Sequence, residues 1–402
     1  MTDTTPLDQE LIEYPTTREC PFDPPPETAR LRQECPVALS RVAATDGEAW
    51  LLTRWEDVRT MLSDPRVSSD FTHPNYPRIL PVKPNPDMRP FVFMDPPEHT
   101  RVRRGLNRDF MVKRINALRP KVQEIVDELI DRMLAGPRPV DFVTAFALPV
   151  PSQMMCLLLG VPYEDHEFFE SNSNALFNLS RPEEANAARL KLIGYLDKLV
   201  TAKEEEPTDD MLGHLVESHI RTGQMTHGEL LSVALSMLLA GHETTTGMIS
   251  LGTLVLLRHP EQLAELRQDP SLLDNAIEEL LRYLSINQTG VRRIAKEDIE
   301  FSGQLVRAGE ALIGQLASAN RDESVFPDAD RFDIHRDTRK MMAFGTGVHQ
   351  CIGQNLARVE LQVVFSTLFE RIPTLRIAVP FEELKFRYEM AVYGMHEMPV
   401  AW

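Results

Sequence analysis

Apolar residues recur at helical spacing along much of the chain. Three stretches place their apolar side chains on one face of an α-helix and so predict amphipathic helices. They are VKRINALRPKVQEIVDELIDRML (112–134), DHEFFESNSNALFNL (165–179) and EEANAARLKLIGYLDKLVTAKEE (183–205). The pattern therefore favours a mainly helical protein.

A longer helix is predicted from Thr226 to Arg258. Thr226 and Glu229 have the spacing of a capping box, and Pro260 stops the helix soon after Arg258. The helix would contain about 33 residues and extend roughly 50 Å, enough to cross a whole domain. A second capping signal, SLLD at 271–274, predicts the helix NAIEELLRYL.

Extended segments are fewer and shorter. RRIAKEDIEF (292–301), QLVRAGEAL (304–312) and the region around FRYEMAVYGM (386–395) predict short strands, with turns at Ser302-Gly303 and Ala308-Gly309. Eight prolines between Phe71 and Pro97 predict a long irregular loop. We expect a mainly α protein with small β-sheets. No linker or repeat marks a boundary, so residues 1–402 should form a single large domain, with about 1–20 as a flexible N-terminal segment.

Composition and charge narrow the class of protein. The 402 residues are 43% hydrophobic and 26% charged, as in soluble globular proteins. The net charge of −17 argues against nucleic acid or an anionic membrane as the main partner. The N-terminal MTDTTPLDQE is too polar for a signal peptide, and LLSVALSMLLAG is shorter than the roughly 18 residues of a membrane span. We expect a cytoplasmic protein.

One of the four cysteines has an unusual setting. Cys20, Cys35 and Cys156 are scattered without C-x-x-C spacing, which fits neither a disulfide framework nor a structural zinc site. Cys351 instead lies in FGTGVHQCIG, a glycine-rich turn directly before a helical pattern. A helix N-terminus lowers the pKa of a thiol and favours a thiolate, which is a nucleophile and a metal ligand. The alternative is an inert buried cysteine in a glycine turn.

The pattern F-G-x-G-x-H-x-C-x-G resembles the haem-binding loop of the cytochrome P450 superfamily. The resemblance implies a haem cofactor (heme b, iron protoporphyrin IX) with the Cys351 thiolate as its axial ligand. It also implies that Phe344 packs against the haem and the thiolate, that Gly345 and Gly353 shape the turn, and that His349 reaches a haem propionate.

Other segments agree with this resemblance, which extends from about Pro21 onward. Glu279 and Arg282 match an E-x-x-R motif that braces the structure behind the haem loop, although the same spacing often marks a solvated helix face. The stretch ANRDESVFPDADRFDIHR (319–336) resembles the irregular meander of the family. The resemblance implies a fold in which the long helix crosses over the haem.

Basic residues upstream match haem-propionate ligands. In MDPPEHTRVRR, His99 and Arg103 are four residues apart and share one helical face. The alternative is a solvated basic helix. Arg293 matches the family's strand arginine for the other propionate, with Arg292 beside it as an alternative.

The segment Ala240–Thr245, AGHETT, carries the catalytic signal. A threonine inside a helix tends to bond back to the carbonyl four residues earlier, here from Thr244 to Ala240. With Gly241 alongside, this predicts a local opening or kink with room for dioxygen. The resemblance implies that Thr244 bonds iron-bound dioxygen and that Glu243 supplies protons. His242, Thr245 and Thr246 are expected to be structural, and a polar blemish on a buried helix is the alternative.

The resemblance implies a bacterial haem-thiolate monooxygenase that hydroxylates or epoxidises a bulky apolar molecule of secondary metabolism. A polyketide, macrolide, terpenoid or sterol-like substrate is expected, bound between the loop 71–97 and the region 168–200. The alternatives are a peroxide-driven or nitric-oxide-reducing enzyme, or a haem-thiolate sensor without catalysis.

An enzyme of this kind requires an electron donor, and the resemblance implies ferredoxin with ferredoxin reductase. Residues 101–121 hold eight Lys or Arg against one acid, Asp109. Arg104, Arg108, Lys113 and Arg114, joined by Arg358, are predicted to attract an acidic ferredoxin, and an ordinary solvated helix is the alternative. We expect a monomer.

Overall fold

Helices make up most of the fold. The computed structural model describes residues 11–80, 85 and 88–402. Among these residues, no helix combines the length and apolar character needed to cross a membrane. The α-helices are α1 Pro26–Glu34, α2 Trp55–Ser63, α3 Glu98–Asn107, α4 Val112–Ala117, α5 Arg119–Ala135, α6 Pro149–Leu159, α7 His166–Phe177, α8 Pro182–Glu205, α9 Met211–Leu215, α10 His227–Arg258, α11 Pro260–Gln268, α12 Leu273–Leu284, α13 Leu316–Ala319 and α14 Gln354–Arg371.

The strands are short and form four separate sheets among the described residues. They are β1 Ile12–Tyr14, β2 Val37–Val42, β3 Gly47–Leu52, β4 Val67–Ser68, β5 Val140–Asp141, β6 Val291–Ala295, β7 Ile299–Phe301, β8 Gln304–Val306, β9 Ala311–Gly314, β10 Arg376–Ile377, β11 Lys385–Phe386, β12 Met395–Glu397 and β13 Pro399–Ala401. The largest sheet has the order β1-β2-β3-β9-β6-β4. The prediction of small sheets in a mainly α fold is confirmed.

Helix α10 runs through the centre of the protein. Thr226 and Glu229 form the predicted capping box, and the helix ends at Arg258 as expected. It packs against α6, α8, α12 and α14, which leaves most of its surface buried. The α-helix continues unbroken through Ala240 and Thr244, so the predicted local opening is absent, and a kink stays a prediction. Gly241 instead allows a close approach, since a Cβ there would collide with Met155 of α6.

The largest sheet includes a strand from the N-terminal segment. Residues 1–10 of the predicted flexible segment lie outside the described residues. From Leu11 onward the chain is described, and β1 pairs in parallel with β2. Tyr14 is fully buried in the core beside that sheet. Strand pairing and burial therefore hold Ile12–Tyr14 against the sheet, whereas the flexibility expected of the N-terminal segment stays a prediction.

Two helix boundaries differ from the predicted ones, both next to prolines. The stretch 112–134 forms α4 and α5, which meet at Leu118, because Pro120 lacks an N–H and its ring would crowd the preceding turn of a continuous helix. The SLLD signal does not cap α12. The Ser271 hydroxyl donates instead to Asp269, and Pro270–Leu272 form a short 3₁₀ turn before the helix.

The predicted loop between Phe71 and Pro97 is irregular where it is described, apart from short 3₁₀ turns such as Phe91–Phe93. It connects β4 to α3. The helices α7 and α8 lie within the other region expected to frame a pocket. These segments meet at the cavity described below.

Candidate functional site

A cavity of about 660 Å³ lies between helix α10 and the loop that precedes α14. Ala240 and Thr244 line it from α10, and Phe344, Gly345 and Cys351 line it from the loop. The two motifs that stand more than 100 residues apart in sequence therefore face one space. The loop 71–97 and helices α7 and α8 supply further walls, as predicted.

The loop that carries Cys351 is held in a tight turn. The Cys351 N–H donates to the Phe344 carbonyl at 2.9 Å. Gly345 and Gly347 have φ of 66° and 74°, a region that residues with a Cβ seldom adopt. A Cβ at Gly347 would also strike the Leu62 carbonyl. Gly353 has an ordinary φ of −80° and serves as the N-cap residue of α14.

Cys351 lies deep in the fold but is exposed to the cavity that it lines. Burial raises the pKa of its thiol, while hydrogen bonds from the backbone at Gly353 and Gln354 and the charges of Arg103 and Arg358 oppose that rise. The expected lowering of the pKa is therefore wrong in sign, because desolvation outweighs the helix terminus. A metal cation beside the sulfur would reverse this balance and hold a thiolate.

A cluster of basic groups lies beside this loop. The His99 and His349 rings are 4.1 Å apart between centroids, and His99 is 1% exposed with neither ring nitrogen bonded. Burial, aided by the charges of Arg103 and Arg293, lowers the pKa of His99 to about 4. Burial, then Arg293, His99 and Arg103, lowers the pKa of His349 to about 3. The positive charges of Arg103 and Arg293 therefore disfavour protonation of both histidines.

The basic cluster fits the two carboxylates of iron protoporphyrin IX. The nearby Asp95 is already bonded by Ser68 and Ser69. Buried basic groups with unbonded nitrogens are stabilised by anionic oxygens. His99 and Arg103 do not line the cavity, however. Arg103 donates to the Gln350 carbonyl at 2.5 Å, which places it against the loop.

Arg292 and Arg293 both line the cavity but lie in different surroundings. Neighbouring residues of a strand point to opposite faces of the sheet. Arg293 is 6% exposed and acts on the pKa of His99 and His349. Burial raises the pKa of the Tyr76 phenol, and Arg292 and Arg293 both oppose that rise, but Arg292 does not act on either histidine. Arg293 is thus the member of the basic cluster.

In α10, the threonine and the glutamate of AGHETT point to different places. The Thr244 hydroxyl donates to the Ala240 carbonyl at 2.7 Å, as predicted, and the residue lines the cavity. Glu243 is buried away from the cavity lining and pairs with Arg387 at 2.8 Å. His242 lies next to Glu243, at 3.9 Å, and bonds the Leu238 carbonyl. The acid and the alcohol therefore do not share the cavity in this structure.

Sequence reasoning missed Glu360 of α14. This carboxyl is 2% exposed and is hydrogen-bonded by Thr245, which lines the cavity. Burial raises the pKa of Glu360 to about 8, although the bond with Thr245 opposes that rise. An acid at a core-facing position of the apolar pattern RVELQVVF was the available signal.

The E-x-x-R motif joins three segments behind the Cys351 loop. Arg282 binds Glu279 at 2.7 and 2.8 Å, and both side chains are fully buried. Arg282 also donates to the Asn320 and Ala329 carbonyls in the irregular segment 319–336. The Asn320 side chain accepts from the Met342 N–H at the start of the loop. The solvated-face alternative is excluded for this pair.

The basic side chains of segment 101–121 differ in their surroundings: among the described residues, some form ion pairs and others are exposed without one. Arg101 pairs with Glu229, whereas Arg104 and Lys113 are exposed and form no ion pair with a described residue. Arg358 does not belong to an open patch. It pairs with Glu278 at 2.5 Å and its guanidinium lies 4.6 Å from the Phe344 ring centroid.

Comparisons with known proteins agree along almost the whole chain. The family model described as Cytochrome P450 matches residues 67–374. The chain is 47% identical over 406 residues to Cytochrome P450-SU2 of Streptomyces griseolus, covering 99% of this chain and 98% of that protein. It is 46% identical to pentalenic acid synthase of Streptomyces avermitilis, covering 97% of each.

A solved structure shows the same fold. The mycinamicin VIII C21 methyl hydroxylase MycCI from Micromonospora griseorubida, bound to mycinamicin VIII, superposes with a TM-score of 0.92 at 42% identity. The match covers 98% of this chain and 100% of the hydroxylase.

Proposed function

This chain belongs to the cytochrome P450 family, and on that premise we propose that it is a haem-thiolate monooxygenase for a bulky, largely apolar small molecule. The similar proteins include a hydroxylase of a mycinamicin and a synthase of pentalenic acid. A macrolide, polyketide or terpenoid substrate agrees with a cavity of about 660 Å³ whose walls are mostly apolar. The observation that carries the proposal is that Cys351 and Thr244 line this cavity together.

The family is a haem-thiolate family, and the residues here fit that cofactor. Cys351 would supply the thiolate ligand, and Phe344, Gly345 and Ala240, which line the same cavity, would contact the ring. The basic cluster of His99, Arg103, Arg293 and His349 would hold the two carboxylates. When bound, the haem supplies the iron that activates dioxygen.

The chain's own residues would then control protons and water. Thr244 presents a hydroxyl to the cavity, and that hydroxyl is already oriented by the Ala240 carbonyl. It would hold a proton on the α10 wall of the cavity that Cys351 also lines. Glu243 would serve as the proton source only after its carboxylate leaves the pair with Arg387, because it does not line the cavity here.

An external protein must supply the electrons. We infer an acidic ferredoxin, reduced by a ferredoxin reductase, that docks on the side of the Cys351 loop. Helix α4 carries exposed basic residues and packs against α14, the helix that begins just after Cys351. Val348 of the loop is 53% exposed and offers an apolar contact close to the cysteine.

Carbon monoxide binding tests the proposed ligand. The reduced protein with carbon monoxide should show the strongly red-shifted Soret band of a thiolate-ligated haem, because a thiolate donates electron density to the iron. Cys351→His should abolish that band, whereas Cys156→Ser, which removes a buried thiol of α6, should keep it. Persistence of the band in Cys351→His would assign the ligand to another residue.

Two alternatives are separated by the electron source. Product formed with hydrogen peroxide alone, at the rate obtained with ferredoxin and its reductase, would favour a peroxide-driven enzyme. Ligand binding without any turnover would favour a sensor. The cavity-facing hydroxyl of Thr244 argues for the monooxygenase, since a sensor has no need of a proton donor there.

A further inference from the structure

The charged side chains that line the cavity are all basic. Arg292 and Arg293 come from β6, Arg78 comes from the segment after β4, and Arg189 comes from α8. Among the residues that the structure describes, no aspartate or glutamate lines this cavity. The proposed haem contacts account for Arg293 but leave three arginines without a function. Arg292 lies beside Arg293 on β6, and Arg78 and Arg189 come from two other segments.

Arg189 is held on the cavity side of α8. It lies one turn before Ile193, which also lines the cavity, so the two share a helical face. One guanidinium nitrogen of Arg189 donates to the Asn186 side chain at 3.1 Å. Its Nε is buried and has no hydrogen-bond partner. The guanidinium is therefore partly desolvated, and no described acidic residue balances its charge.

Arg78, which lines the cavity from the segment after β4, is in a similar state. Its Nη2 donates to the carbonyls of Phe71 and His73 at 2.7 and 3.2 Å, which orient the side chain. Its Nε is also buried without a partner. Within the described part of the chain, neither Arg78 nor Arg189 forms an ion pair, since each bonds only uncharged oxygens.

A guanidinium keeps its charge at every physiological pH, and desolvation without an anion is costly. A carboxylate is the anion that fits a guanidinium best, because its two oxygens match the fork of N–H donors. Resting on the monooxygenase function proposed above, we propose that the substrate carries a carboxylate, which Arg189 binds with Arg78 as a second cation. Its hydrocarbon part lies against apolar walls that include Leu176 and Met248.

Matched pairs of ligands test this substrate class. Dodecanoic acid and lithocholic acid are each compared with their methyl esters, which keep the hydrocarbon but lose the charge. Equilibrium dialysis against the haem-loaded protein gives the dissociation constants. Each acid should bind at least about tenfold more tightly than its ester, equivalent to about 1.4 kcal/mol.

Variants of α8 assign the preference. Arg189→Gln should weaken binding of the acids about tenfold and leave the esters unchanged, and Arg189→Lys should recover part of the loss. Lys191→Gln is the matched control, because it removes an exposed positive charge from the same helix. Arg78→Gln should also weaken the acids, with ester binding as the measure of an intact cavity.

The outcomes divide clearly. Equal affinity for acid and ester, or a variant at Arg189 that weakens both alike, would overturn the carboxylate proposal. A failure of the monooxygenase function is seen separately, as ligand binding without product when ferredoxin and its reductase are supplied, since dialysis requires no turnover.

Discussion

Burial and local polar groups have opposite effects on the ionisation of Cys351. Its sulfur lines the cavity, and burial raises the pKa of the thiol. The N–H groups at Gly353 and Gln354 and the charges of Arg103 and Arg358 favour the thiolate but do not outweigh burial. A bound metal ion would therefore be needed to stabilise the negative charge of a thiolate at this site.

Thr244 is the residue for which loss of a hydroxyl should matter most. Thr244→Ala should keep haem content and ligand binding, because the helix is continuous and the removed group bonds only the Ala240 carbonyl. Product formed per electron pair should fall by about tenfold or more, with hydrogen peroxide released instead, because a proton donor is missing. Oxygen, peroxide and product measured together give this ratio.

Thr246→Ala is the matched control for that experiment. Thr246 makes the same kind of bond, to the His242 carbonyl at 2.8 Å, but is buried outside the cavity lining. Its variant should keep normal coupling. Unchanged coupling in Thr244→Ala, or equal loss in both variants, would remove Thr244 from the proposed chemistry.

The sequence predicts most of the site at this scale but not the direction of every side chain. Cys351, Phe344 and His349 line the cavity because one local turn presents them. Glu243 turns away because Arg387, far along the chain, binds it. No local pattern contains that pairing.

At the scale of elements, local signals predict helices well and strand pairing poorly. The ends of α10 follow from a capping box and a proline, which act within a few residues. Strands β2 and β3 were missed although they form a local hairpin with Asp46-Gly47 at its turn. Only the parallel pairing of β3 with β9 comes from more than 250 positions away. Such pairing depends on the whole fold.

Helix α14 contains a buried acid that should make stability depend on pH. The pKa of Glu360 is about 8 in the folded protein, against an ordinary value of 4.5. The folded state therefore binds more protons than the unfolded state between these values, so the free energy of unfolding falls as pH rises through this window. The slope can reach about 1.4 kcal/mol per pH unit.

Urea unfolding at pH 5, 6.5 and 8 measures this effect. Glu360→Gln should lose the corresponding part of the slope and become more stable than the original protein at pH 8. Glu370→Gln, an exposed change on the same helix, should keep the original slope. Parallel pH profiles for Glu360→Gln and the original protein would show that the carboxyl does not titrate as expected.

On the scale of the whole molecule, the charge is unevenly distributed. The protein has a net charge of −17, yet α3 and α4 carry an excess of exposed basic residues near the Cys351 loop. The structure removes Arg358 from this surface, because it is committed to Glu278. Arg108 and Arg114 lie near Asp209, where the His214 bond first, and both arginines after it, lower the pKa of that carboxyl. None of Arg104, Arg108, Lys113 and Arg114 forms an ion pair with a described residue, and Arg104 and Lys113 are the two that do not act on Asp209.

Electron transfer from an acidic ferredoxin should therefore depend on Arg104 and Lys113. Arg104→Glu and Lys113→Glu should each slow stopped-flow reduction several-fold at low salt without changing ligand affinity, because complementary charge steers the encounter. Rising salt should slow the original protein and narrow its difference from the variants, since the screening length shortens to roughly 3 Å at 1 M. Lys198→Glu makes the same charge change at an exposed site on α8 and should leave the rate unchanged. A salt-independent rate, with Arg104→Glu and Lys113→Glu both silent, would place ferredoxin docking on another face of the protein.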